Sequence, residues 1–156
     1  MNDAQPEEQT APNGLIPEGS NSDVYLAFLI KIISDLGKDH SIEADSFSIS
    51  ISVVVGGQMW TGQLVSAVAW SAHVASQVRT TTNPIELAEP FATIFDRFKE
   101  FDQDARDSGY PFGYVHLLNA VPVLFDGRNA VGGFPIRFRL TDVQGWTMGS
   151  PQTSIG

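Results

Sequence analysis

Cysteine is absent from all 156 residues, which removes disulfides, thiolate nucleophiles and zinc–thiolate sites at once. That absence fits a cytosolic protein. No apolar run approaches the roughly 20 residues that a membrane span requires. The densest run, Val24–Ile33, is interrupted by Lys31 and has no cationic segment before it, so it does not read as a signal peptide. Positive charge is also scarce: nine Lys and Arg, dispersed along the chain, stand against eighteen Asp and Glu, for a formal net charge of −9. Phosphate binding needs clustered cations that release counterions. The balance therefore argues against DNA, RNA and anionic membranes as partners, and for solubility or a basic or neutral protein partner.

The three histidines, His40, His73 and His116, are far apart in sequence. None has a second histidine at metal-ligand spacing, and none sits in a nucleophile or acid–base motif. His116, on a half-buried strand, reads as a hydrogen-bonded structural residue. The glycine pairs Gly56-Gly57 and Gly132-Gly133 open no helix, so they do not form a phosphate-cradling loop. The run Asp102-Gln-Asp-Ala-Arg-Asp107 has the look of a calcium loop, but Arg106 and Asp107 stand where an EF-hand needs an oxygen ligand and a glycine. No catalytic, cofactor-binding or metal-ligating set emerges, and the expectation is a non-enzymatic module without a cofactor.

What the chain does have is concentrated in Ser46–Trp70. Phe47, Ile49, Ile51 and Val53 alternate with serines, the period of a half-buried strand. Gly56-Gly57 supplies the positive φ angles that a two-residue hairpin turn requires. With those glycines as the loop, Val53 faces Trp60, Ile51 faces Gly62 and Ile49 faces Leu64, while Ser52 meets Thr61 and Ser50 meets Gln63. One face is then apolar and the other polar along both strands, which fixes the register. Gly62, without a side chain on the apolar face, lets a long second strand bend over the core. That is how a small SH3-like or Sm-like barrel begins.

The chain is long enough for one domain with a sizeable core. Residues 1–22, rich in Pro, Glu, Gln and Asn, read as a disordered acidic tail, residues 23–149 as a single domain, and 150–156 as a C-terminal tail. Asp23–Leu36 reads as a helix capped by Asn21, Ser22 or Asp23 and closed by Gly37. Its apolar residues, Phe28 and Ile32 included, run almost all the way round. This suits a helix wedged between the barrel and an insertion, or one that also touches a second protomer. Ser71–Thr82 reads as a loop. A helical insertion over about residues 83–107 starts at Asn83-Pro84, with a kink or restart at Pro90, and carries Phe91, Ile94, Phe95, Phe98 and Phe101 on one face. Tyr114–Val121 and Phe134–Leu140 read as strands, the second with Arg137 and Arg139 on its outer face. Val143-Gln144-Gly145 reads as a turn before a short strand, Trp146–Met148. The fold class expected is α+β, mainly β: a bent five-stranded antiparallel barrel with an N-terminal helix and a helical insertion between strands two and three.

Four pieces in this order carry a resemblance: the helix Val24–Leu36, the hairpin I-S-V-V-V-G-G-Q-M-W-T-G-Q-L-V-S at Ile51–Ser66, the strand Y-V-H-L-L-N-A at Tyr114–Ala120, and R-F-R-L-T-D-V-Q-G-W-T-M-G-S at Arg137–Ser150. Together they resemble the gas vesicle accessory proteins of the GvpU family. The resemblance implies a cytoplasmic, non-catalytic protein that accompanies the vesicle shell and is linked to assembly or clustering of vesicles. The partners implied are shell or other accessory proteins, with self-association possible through an exposed strand edge. Candidate contact residues are Phe91, Ile94, Phe95 and Phe98, with Phe28, Ile32, Arg137 and Arg139. The competing readings are an Sm-like nucleic-acid binder and a self-assembling scaffold unrelated to gas vesicles. A small hydrolase has no motif in its favour.

Overall fold

A two-glycine turn sets the architecture. In a computed structural model describing residues 23–36, 47–107, 113–124 and 132–150, with the side chains of all but 99–107, Gly56 and Gly57 sit at φ +59° and +78°. They join β1 (Ile49–Val55) to β2 (Gln58–Leu64). The pairing is the one the alternation predicts: Ile49 opposite Leu64, Ile51 opposite Gly62, Val53 opposite Trp60. The remaining elements are α1 (Val24–Leu36), α2 (Ala67–Thr81), α3 (Ala88–Asp107), β3 (Tyr114–Pro122), β4 (Phe134–Arg139) and β5 (Val143–Met148). The five strands form one antiparallel sheet in the order β4-β3-β2-β1-β5.

The sheet is curled but not closed. β4 and β5 lie at opposite edges and do not pair, so the closed SH3-like or Sm-like barrel is not what the hydrogen bonding shows. Its curl follows from chain length. Flat, the edges would stand about 19 Å apart at ~4.8 Å per strand. Yet Arg139 is linked to Val143 only through the 3-10 turn Leu140–Asp142, which at ~2 Å per residue spans about 8 Å. Among the described residues the helices also cover more than the strands do, so the fold is α+β and not mainly β.

The concave face is filled by α1. Leu26, Ala27, Ile30 and Ile33 pack with Ile51, Val53, Leu64, Val115, Leu117, Ala120 and Leu140, all buried. Each fully buried Leu or Ile contributes roughly 1.5–3 kcal/mol relative to exposure. The helix starts at Asp23, whose carboxylate accepts from the N–H of Tyr25 (2.8 Å) and Leu26 (3.1 Å) and from the indole of Trp146 on β5 (3.0 Å). One cap thus also ties the helix to an edge strand. Burial alone would push this carboxyl up, but the hydrogen bonds from Leu26, Trp146 and Tyr25 outweigh it and hold the group below its ordinary value.

The sequence reading of the insertion is corrected at one point and met at another. β2 ends at Leu64, and the stretch expected to be its bent continuation and then a loop is α2. Ser66 caps it, accepting from the Ala69 N–H at 3.1 Å. Alanine has the highest helix propensity. Here, however, the buried residues are Ala69, Trp70, Ser71 and Ala75, three of them small, which leaves too little hydropathy signal to show a period. The restart expected at Pro90 is met: a 3-10 turn at Ile85–Leu87 precedes α3, and Pro90 falls in the helix's first turn, where no intrahelical N–H bond is lost. The insertion between β2 and β3 is therefore a pair of helices that pack on each other. Arg79 near the end of α2 donates to Glu89 (3.0 and 3.1 Å) and Asp96 (2.6 Å) near the start of α3, which makes the pair antiparallel.

A bulge bends the sheet. Opposite Gly62, β3 presents an extra residue: Thr61 pairs with Val121 but Gln63 with Leu118. Asn119 takes the left-handed conformation at φ 50°. A Cβ on Gly62 would meet Leu118 O at 3.0 Å, and one on Gly133 would lie 2.5–2.6 Å from Asn119 backbone atoms. Gly62 was expected to let a long second strand bend over the core; β2 instead ends at Leu64, and the missing side chain leaves room for the β3 backbone. Gly133 likewise is a packing requirement. A second bulge explains why Val143-Gln144-Gly145 is strand and not turn. Val54 pairs with Gly145 and Val55 with Val143, leaving Gln144 over, and its Oε1 accepts from the Gly57 N–H at 2.9 Å.

The polar face of the hairpin is covered. Ser52 and Thr61 are buried beneath the chain leaving β5: Ser52 Oγ donates to Gly149 O at 2.9 Å, and the Thr61 and Ser150 hydroxyls bond at 2.7 Å. The tails at 1–22 and 151–156, and the connector His40–Asp45, lie outside the described residues.

Candidate functional site

α3 has two faces with different fates. Ala88, Ala92 and Phe95 recur at helical spacing and turn inward, the alanines buried and Phe95 packed against Val65, Ala69 and Trp70 together with Val74 and Leu118. One step round the helix, Leu87, Phe91, Ile94 and Phe98 recur at intervals of four, three and four residues. They remain 47, 51, 50 and 37% exposed. Intervals of that kind form a seam that another apolar surface can cover. Phe95 touches Phe98 edge-on at 5.7 Å between ring centres, so the seam is braced from beneath by the insertion's own small core.

Of the expected contact residues, Phe91, Ile94 and Phe98 thus share one exposed stripe, and Phe95 does not belong to it. Leu87 does, and was not anticipated. It lies in the 3-10 turn, where its phase with the helix is set only once that turn has formed. Phe101 continues the interval along α3, beyond the described side chains. The helix runs through Asp107, so the aspartates at 102, 104 and 107 are on helical backbone and no calcium loop forms there.

A second apolar strip lies on α1. Its inner side is in the main core, while Val24, Tyr25, Phe28 and Ile32 are exposed. The helix is therefore covered by the sheet on one side and is not wedged between sheet and insertion. Lys31 pairs with Asp35 beside this strip.

The third feature is the outer face of β3 and β4. Alternation puts Ile136 and Phe138 inward against the core and sends Arg137 and Arg139 outward, as expected. Arg137 lies opposite His116, and Arg139 opposite Tyr114. The Arg137 guanidinium sits over the Tyr114 ring at 4.6 Å and near the Trp70 ring of α2 at 5.9 Å. This geometry holds the charge in place by cation–π attraction. The buried Trp70 Nε1 has no hydrogen-bond partner.

Chemistry-bearing groups are sparse. Among the described residues no group of three or more His, Asp or Glu is close enough to hold a metal. His73, expected in a loop, is on α2 and lines a cavity of about 260 Å³ with Ala69, Ala72, Ser76 and Leu118. Among the described residues that cavity offers one imidazole and one hydroxyl with no carboxylate to orient them, and His116 does not line it. No helix among the described residues is long and apolar enough to cross a membrane.

Fold and surface define a class: a small α+β protein with a helix-filled, curled antiparallel sheet, carrying a helical hairpin whose outer seam is apolar. The gas vesicle protein GvpU-like family model matches residues 23–151. That covers most of the chain, and the protein belongs to this family. No curated protein and no solved structure matches it.

Proposed function

We propose that this protein is a non-enzymatic gas vesicle accessory protein, acting inside the cell through contacts with vesicle shell or other accessory proteins during assembly or clustering. The observation that carries the reading is the Leu87–Phe91–Ile94–Phe98 seam in a member of a gas vesicle family. Four large apolar side chains in register on one exposed helix face are costly to leave in water, at about 25 cal/mol per Å² of apolar surface. Contiguous apolar surface of that kind marks interaction sites. The α1 strip with Phe28 and Ile32 is the second contact surface, and the folded unit over residues 23–149 presents both.

Flotation tests this reading, because assembled vesicles are buoyant and a bound protein rises with them. Wild-type protein mixed with purified vesicles is expected in the floated layer, and the double variant Phe91→Glu/Ile94→Glu in the subnatant. Both substitutions are on half-exposed positions, so circular dichroism should be unchanged. Failure of the wild type to rise, or equal flotation of the folded variant, would overturn the proposal.

A further inference from the structure

We infer that the free edge of β4 docks an extended acidic segment of a partner protein, added as a sixth strand and read by Arg137 and Arg139. This site is separate from the apolar seam and does not rest on gas vesicle association.

The main-chain pattern shows which groups are free. Leu140 N–H donates to Gly113 O at 2.9 Å across the end of the β3–β4 pair. By the alternation of antiparallel ladders, Phe138 and Ile136 also bond toward β3, and the N–H and C=O of Arg137 and Arg139 point to the open side. No described strand pairs there. Pro135 has the same orientation but no N–H, so a partner strand gains most at the Arg137–Arg139 end.

Charge selects the occupant. Among the described residues neither arginine pairs with a carboxylate, whereas Lys31 and Arg79 do. The two arginines stand two residues apart on one face of β4, their Cα positions ~6.8 Å apart along the strand. That spacing matches carboxylates at alternate positions of an extended peptide. Arg137 is already held over Tyr114 and Trp70, so little side-chain freedom remains to be lost on binding. A second copy added through the same edge would set arginines against arginines, a like-charge pairing that sheets avoid. Arginines and a proline also blunt an edge against aggregation, and the test separates that role from recognition.

The probe is a fluorescein-labelled peptide alternating Glu and Val, titrated into the full chain at low ionic strength. Three controls accompany it: a Lys–Val peptide, the Glu–Val peptide N-methylated at alternate residues, and inorganic polyphosphate. Binding by the Glu–Val peptide alone is expected, with slowed amide exchange at Arg137 and Arg139. Arg137→Glu/Arg139→Glu should weaken it roughly tenfold or more, the loss of at least one charge-assisted hydrogen bond. Three results would overturn the inference: no binding, equal binding by the charge-reversed chain, or equal binding by the methylated peptide. Competition by polyphosphate without amide protection would reduce the site to an anion patch and also overturn strand addition.

Discussion

The substitution Gly133→Ala probes the joint on which the sheet bends. Its added methyl would lie 2.5, 2.6 and 2.6 Å from the carbonyl carbon, Cα and oxygen of Asn119, where ordinary contacts start near 3.5 Å. These are backbone atoms of a bulge residue already at φ 50°, so no side-chain rotation relieves the overlap. Overpacking of this kind costs about 1–3 kcal/mol. A glycine-to-alanine change recovers about 0.4–1 kcal/mol by restricting the unfolded chain. Because the clash is with main chain, the net loss should sit at about 2 kcal/mol, which for a chain of this length lowers Tm by about 4–8 °C. Gly145→Ala is the control, since a Cβ there meets nothing within 4 Å, and its Tm should stay within about 1–2 °C of wild type. Differential scanning fluorimetry with urea titration reads both. If Gly133→Ala unfolds at the same midpoint as Gly145→Ala, the bulge does not constrain β4 as described.

Leu26→Ala, which empties a fully buried position in α1, should cost about 2–5 kcal/mol in chemical denaturation, far more than the exposed Tyr25→Ala on the same helix. Asp23→Ala removes the cap and the Trp146 link together and should cost about 0.5–2 kcal/mol. Because the folded Asp23 carboxyl is held below its ordinary value, its contribution is fully present above the unfolded pKa. It is lost as pH falls through the lower folded value. The gap between wild type and Asp23→Asn should therefore narrow in acid, and a gap that widens as pH drops would contradict the assignment. Trp70→Phe deletes an indole N–H that has no partner while keeping most of the ring. It should destabilise by less than about 1.5 kcal/mol, against about 3–5 kcal/mol for Trp70→Ala.

The hairpin, its register and the existence of α1, α3, β3 and β4 were legible because each is set by neighbours in sequence. Two adjacent glycines dictate a turn, serine–aliphatic alternation dictates a face, and phenylalanine at helical spacing dictates a stripe. α2 was hidden because, Trp70 and Val74 apart, its packed face is alanine and serine, whose burial carries little hydropathy signal and is decided by the helix lying across it. Whether β4 and β5 would meet was likewise beyond local reading, since they are the two ends of one sheet and only the accumulated curl brings them near.

The candidate surface divides the same way. Sequence alone fixed that Phe91, Ile94 and Phe98 share a helix face and that Arg137 and Arg139 share a strand face, since period and alternation are properties of the backbone. Only the tertiary structure decided that Phe95 turns inward and that Leu87 joins the seam. It also decided that Arg137 rests on rings from two other elements, and that Gly133 has no room for a methyl. Each of these depends on which distant atoms arrive beside the residue, and packing at near-crystal density leaves no freedom to trade one neighbour for another.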